Sequence, residues 1–253
     1  MEEIELAGIN TRANYDIPEF QLDDTEELKT FNKMRIESRE ISMRRMEIFM
    51  RAGSALLLLL VAFWVRSGKE SSGLYVEGFC MKDLGHIITA PINDLCHESR
   101  NWLTFFEVTS SGTMDLVMIH LMVYCYFKSK NLHAIWTVVF FYGIRAIVQG
   151  NFKMRYPDKG IWDEPPIPSL VVPYGLQSDY YFSGHCGFLA INATYMWNEG
   201  RKKTALAIIA VMPYIAFTLI MSRIHYTIDI PIGAMFGCWL YIIVGDHVDF
   251  LNF

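Results

Sequence analysis

Two short segments carry residue types suited to nucleophilic and acid–base chemistry: Ser183-Gly184-His185 and His225-Tyr226-Thr227-Ile228-Asp229, each at the edge of a long apolar run. An imidazole can attack an electrophile or move a proton near neutral pH, and a neighbouring carboxylate fixes its tautomer and stabilises its charged form. His225 and Asp229 are four residues apart, so a helix beginning near the bend before them puts both on one face. Ser183-Gly184-His185 opens an apolar run. There the free N–H groups of a helix start favour an anion, and Gly184 lets it come close to the backbone. The chemistry this suggests is phosphoryl transfer. His225 attacks phosphorus with Asp229 orienting it, His185 protonates the departing alcohol oxygen, and water or an acceptor alcohol then takes the group from a phosphohistidine. Transferase and hydrolase differ only in that acceptor.

Each motif alone says little, because Ser-Gly-His arises often by chance and an interfacial histidine is commonly a hydrogen-bonded structural residue. Their weight comes from the elements that must hold them. Hydrophobic residues make up 52% of the 253 residues and charged residues only 19%, which points away from a soluble core and toward an integral membrane domain. Six apolar runs approach the length of a bilayer crossing: Ile48 to Val65, Leu103 to Phe127, Leu132 to Gln149, Phe182 to Trp197, Thr204 to Met221 and Ile228 to Val244. Backbone in lipid must satisfy its own hydrogen bonds, so the expected fold is all-α, a polytopic bundle of six transmembrane helices. Residues 48–253 form the membrane domain, with a chemistry-bearing core at about 103–245, and residues 1–47 form a charged amino-terminal arm. Arg51, one turn inside the first run, is expected to snorkel to the interface.

The arm contains no apolar leader core and ends in Lys29, Lys33, Arg35, Arg39, Arg44 and Arg45, which places it on the cytosolic or equivalent inner side. Six crossings then put the basic turns Lys128 to Asn131 and Asn198 to Lys203 inside. The connections Arg66 to Trp102 and Gly150 to Tyr181 fall outside, with the bend Ser222 to Thr227. Both histidine motifs thus face the same outer compartment, although only lysine and arginine positions set the topology.

In these segments the chain resembles the type 2 phosphatidic acid phosphatase superfamily, and within it the sphingomyelin synthase-like branch, over roughly Leu103 to Val244. Asp179-Tyr180-Tyr181-Phe182-Ser183-Gly184-His185 looks like that branch's Asp-x-x-x-Ser-Gly-His segment, and His225-Tyr226-Thr227-Ile228-Asp229 matches its His-Tyr-Thr-x-Asp segment. Tyr142-Gly143-Ile144-Arg145 is similar to the branch's arginine-bearing segment, which implies that Arg145 faces the phosphate; position alone equally fits a snorkelling arginine. Arg223-Ile224-His225 is similar also to plant phosphatidylcholine:diacylglycerol cholinephosphotransferases. The resemblance implies His185, His225 and Asp229 as catalytic residues and Arg145, Ser183, Gly184 and Arg223 as phosphate ligands, with Asp179 and Tyr226 as further candidates. Two departures weigh against simple phosphatidate hydrolysis. Val138 stands where the superfamily's Lys-x6-Arg-Pro has lysine, with Ala146 after Arg145, and Ser222-Arg223 directly precedes Ile224-His225 instead of standing apart as in Ser-Arg-x5-His. The branch implies exchange of phosphocholine or phosphoethanolamine between a phospholipid and ceramide or diacylglycerol, without metal or cofactor. A lipid phosphate phosphatase remains an alternative.

Other residues admit two readings. Asp115 and His120 lie inside the second run, where an ionisable group is either functional or a structural hydrogen-bonding residue. His86, His97, His133 and His247 have no evident partners and are read as ordinary. The proline-rich stretch Lys153 to Pro173, with Trp162, Asp163 and Glu164, is either a stiff lip at a lipid entrance or a plain connection. Cys80 and Cys96 share the first outer connection and could pair in an oxidising lumen. Cys125, Cys186 and Cys238 fall in apolar runs and read as small hydrophobes. The expected partners are membrane lipids; a net charge of −5 gives no indication of nucleic acid. A competing expectation is a catalytically silent accessory subunit of a large membrane complex, for example in the mitochondrial inner membrane, in which a protein partner holds the arm. Golgi, endoplasmic reticulum and mitochondrial inner membrane all stay open.

Overall fold

A computed structural model describes residues 26–67, 82–129, 131–151, 157–175 and 180–247. Among them are seven α-helices and no strand: α1 (Glu26–Ser67), α2 (Leu84–Glu98), α3 (Arg100–Phe127), α4 (His133–Asn151), α5 (Gly184–Asn198), α6 (Lys202–Met221) and α7 (Asp229–His247). The all-helical expectation holds. The chain divides into two compact units, Met1–Met46 and Glu47–Phe253.

Helix α1 begins well before the apolar run at Ile48. Residues 26–47 contain many good helix formers, Glu, Lys, Arg, Met and Leu, and neither Gly nor Pro, so helix propensity carries the element through a segment that hydropathy reads only as an arm. Helix α2 is a second addition, lying inside the expected connection Arg66 to Trp102. Its 15 residues reach about 22 Å, short of the roughly 30 Å of hydrocarbon, which is why a search for spans passes over it. Among the described residues α6 is the one helix long and apolar enough to cross a membrane, with mean hydropathy 2.2; α7 is apolar over Asp229–Gly245 but shorter.

The core is organised around α5, whose residues from Cys186 to Ala193 are all buried. It packs on α7, α6 and α4. The contact with α7 is close because both helices present glycine: a methyl on Gly237 would stand 2.6 Å from the Gly187 carbonyl oxygen, and one on Gly233 would stand 2.4 Å from the Ser183 oxygen. Small residues four apart on α7 let the two helix backbones approach closely.

Arg51 does not snorkel. Its guanidinium donates to the carbonyls of Cys125 and Tyr126, both at 3.0 Å, and of Ser129 at 3.1 Å, and it pairs with Glu47 at 2.9 Å. The last carbonyls of α3 have no partners within the helix, so a cation there satisfies them and opposes the axial dipole.

The stretch 157–175 is irregular but tightly held. Asp115 accepts from the Ser169 hydroxyl at 2.7 Å and from the N–H groups of Leu170 at 3.0 Å and Val171 at 3.1 Å, so it anchors this loop. Glu107, fully buried, accepts from the Asp163 N–H at 2.7 Å, and Arg100 pairs with Asp163.

Candidate active site

The turn between α6 and α7 presents His225. Arg223 takes the left-handed conformation (φ 59°) that reverses the chain after α6, and α7 then begins at Asp229. The Asp229 carboxylate accepts from the Tyr226 N–H at 3.0 Å and contacts His225 Nδ1 at 3.3 Å. A carboxylate only accepts, so Nδ1 carries the proton and Nε2 keeps its lone pair, the tautomer a nucleophile requires. Both side chains are buried, and Nε2 has no hydrogen-bond partner.

Ser183 caps α5, its hydroxyl accepting from the Cys186 N–H at 3.4 Å. Its own N–H donates to the Asp229 carbonyl at 2.9 Å, so the two motifs, more than 40 residues apart in sequence, are joined through the main chain. The result brings the His185 and His225 rings to 6.4 Å between centroids, near perpendicular at 80°. Arg145, buried on α4, lies against the start of α5: a methyl on Gly184 would stand 2.9 Å from its Cζ. Its Nε donates to the Phe182 carbonyl at 3.5 Å, which turns the guanidinium into the bundle beside the first turn of α5, an arrangement suited to an anion. Tyr226 packs its ring 5.3 Å from that of Tyr180.

A cavity opens onto this end of the bundle. Arg145, Gly184 and His185 supply its polar part; Leu58, Met114, Met118, Val138 and Phe188 line it with apolar surface, and Trp162, Val171 and Val172 close it from the loop. The proline-rich stretch is therefore a cavity wall. His225 and Asp229 are buried and are not among the residues lining the cavity, but the His225 ring lies 6.4 Å from that of His185, which is.

Of the expected residues, His185, His225, Asp229, Arg145, Ser183, Gly184 and Tyr226 come together. Arg223 points elsewhere, donating to the carbonyls of Asp158 at 3.0 Å and His86 at 3.4 Å, and Asp115 holds the loop. Asp179 and Cys80 lie outside the described residues, and with Cys80 the expected pairing to Cys96. Among the described residues no group of three or more His, Cys, Asp or Glu side chains could hold a metal ion.

Three residues at or near the site went unrecognised in sequence. His86 Nε2 donates to the His225 carbonyl at 2.9 Å, Asp83 accepts from the Thr227 N–H and hydroxyl, both at 2.6 Å, and Glu107 anchors the cavity wall. An Asp directly before an apolar stretch is an N-cap signal, and Asp83 caps α2 by accepting from Gly85 N–H at 2.7 Å. Burial alone would raise the Asp83 carboxyl, but the hydrogen bonds from Thr227 and Gly85 outweigh it and hold the group below its usual value of 3.8. Its contribution to stability is accordingly complete above the unfolded value and is lost as pH falls through the depressed folded value. Wild type and Asp83→Asn should therefore differ in thermal midpoint at pH 7, with the gap narrowing as pH falls below 3.8; a gap that does not narrow would refute the assignment.

The model of the PAP2 superfamily C-terminal region matches residues 178–246, which hold both motifs and helices α5 to α7. The likeness is confined to this segment, about a quarter of the chain. The match supports the type 2 phosphatidic acid phosphatase superfamily, and with it lipid phosphatase or phosphotransferase-like chemistry in a protein class usually found in membranes. No curated protein and no solved structure matches the chain. The PAP2 segment ends within α7 and does not include α1 to α4, so Arg145, Asp83 and His86 come to the site from outside the matched region.

Proposed function

We propose that this protein is a lipid head-group phosphotransferase of the sphingomyelin synthase-like kind, moving phosphocholine or phosphoethanolamine from a phospholipid to ceramide or diacylglycerol. The observation that carries the reading is the buried His225–Asp229 pair, with Nε2 unpartnered, facing a second histidine at 6.4 Å beside an arginine-lined cavity. Arg145 and the N–H groups at the start of α5 bind the phosphate while the lipid chains take the apolar lining. His225 Nε2 attacks phosphorus, the bond to the lipid oxygen breaks, and His185 gives that oxygen its proton. The acceptor hydroxyl then loses its proton to His185 and displaces the histidine from phosphorus. In this reading the other apolar runs cross the bilayer with α6, and both motifs face the compartment opposite the amino-terminal arm.

The departures at Val138 and Ser222-Arg223 favour an alcohol over water as acceptor. A second reading, a silent subunit of a larger membrane assembly, draws on the complete burial of His225 behind the cavity wall. Purified protein supplied with labelled phosphatidylcholine or phosphatidylethanolamine should label ceramide or diacylglycerol. Labelled free phosphocholine or phosphoethanolamine alone would indicate hydrolysis in place of transfer, inorganic phosphate from labelled phosphatidate would indicate a lipid phosphate phosphatase, and no product from any of the three would leave the silent subunit.

A further inference from the structure

We infer that Asp83 and His86, at the amino-terminal end of α2, are positioning residues for the His225 nucleophile. The inference rests on the phosphotransfer reading for its consequence in rate.

The turn from Ser222 to Ile228 has no regular ladder to occupy its peptide groups, and those next to His225 are taken one by one, mostly by side chains. The His225 carbonyl accepts from His86 Nε2 at 2.9 Å. The Tyr226 N–H goes to the Asp229 carboxylate at 3.0 Å and its carbonyl to the Asp229 N–H at 3.0 Å. The Thr227 N–H and hydroxyl go to the two Asp83 oxygens, both at 2.6 Å. Asp83 is at the same time the cap of α2, so one carboxylate joins the first turn of that helix to the turn that carries the nucleophile. Gly85 makes the approach possible, since a methyl there would stand 2.1 Å from the Thr227 hydroxyl oxygen. The far half of α2 is fixed as well, Asn93 donating to the Met221 carbonyl at 2.9 Å. The His86 ring also lies 5.3 Å from that of Tyr226.

The backbone that carries the His225 ring can shift only if this set of bonds breaks. Asp229 sets its tautomer, and α2 sets where its backbone stands. A nucleophile misplaced by about 1 Å loses on the order of 100-fold in rate. Because a carbonyl only accepts, His86 must carry its proton on Nε2, so a glutamine amide can replace that donor whereas a phenylalanine keeps only the ring contact.

Full-length protein in detergent with labelled phosphatidylcholine and diacylglycerol supplies the test. His86→Phe should lower kcat by about 10- to 100-fold with KM nearly unchanged, and His86→Gln should restore most of it. Independently of turnover, histidine 15N spectra should show His225 as a single Nδ1–H tautomer in wild type and in His86→Gln, and as an averaged one in His86→Phe. Absence of transfer in wild type would fail the phosphotransferase reading and leave the 15N comparison to decide the positioning role. A His86→Phe variant with unaltered 15N pattern, or with wild-type kcat, overturns it. If His86→Phe does not fold, Asp83→Asn carries the same comparison, since it keeps an oxygen to cap α2 and loses one acceptor for Thr227.

Discussion

Replacing His225 by alanine should remove head-group transfer by about 10³-fold or more, equivalent to at least roughly 4 kcal/mol of transition-state stabilisation, and should abolish any trapped phosphoenzyme. The size of the effect follows from geometry. His225 Nε2 is the buried lone pair freed by the Asp229 contact, and His185, 6.4 Å away, stands where a leaving-group acid is needed. If His185 replaced it as nucleophile, no group would be left to protonate the leaving oxygen. Asp229→Asn should cost less, because the amide oxygen can still accept from Nδ1–H but no longer stabilises a developing imidazolium. Single-turnover assays with a phosphorus-labelled donor separate the two variants. Wild-type phosphoenzyme in His225→Ala would remove the histidine from its assigned role.

The second large effect is expected at the glycine contact between α5 and α7. Gly237→Val should lower the thermal midpoint and transfer activity together. Its branched side chain has to enter where a single methyl already stands 2.6 Å from the Gly187 carbonyl oxygen, and that oxygen belongs to a packed helix that cannot shift as a side-chain end can. Overpacking of this kind costs about 1–3 kcal/mol or more. Relief requires α5 and α7 to separate, and those helices carry His185 and Asp229 at their first turns and share the Ser183 to Asp229 backbone bond. Gly112→Ala is the control: a methyl there meets open space, and loss of a helical glycine should leave stability equal or raise it by up to about 1 kcal/mol. Thermal unfolding in detergent reads both; a Gly237→Val midpoint at or above that of the control would exclude close α5–α7 packing as the device that aligns the motifs.

Much of the site was legible because its information is local. Four-residue spacing brings the Asp229 carboxylate within reach of His225, although His225 lies in the turn before α7 and not on a helical face, and Ser before Gly-His is an N-cap followed by a helix start. The helix ends at Phe127, Trp197 and Met221 were likewise close to the observed ends, since hydrophobic runs stop where polar turns begin. What failed was read from hydropathy where another force governs. Helix α1 extends through its arm by propensity, and α2, amphipathic and short, is invisible to a search for spans. Arg51 was read from its place in an apolar run and Arg223 from a family resemblance, yet both find backbone carbonyls, one at the end of α3 and one in the loop at Asp158. The glycines at positions 233 and 237 were present in sequence at the spacing of a close helix contact, but spacing does not name the helix they meet.

By itself, then, the sequence determined the chemistry-bearing groups and their local geometry: an imidazole, its carboxylate one turn on, and a capped helix start bearing a second imidazole. Those features depend on residues within four positions of each other, so side-chain type and close spacing suffice. The tertiary structure alone decided that the two motifs share a backbone hydrogen bond, that α2 holds the turn bearing His225, and that Arg145 faces the helix start. Each depends on which surfaces of distant helices fit together at glycine contacts and unpaired carbonyls, and that fit is a property of packed shapes in three dimensions.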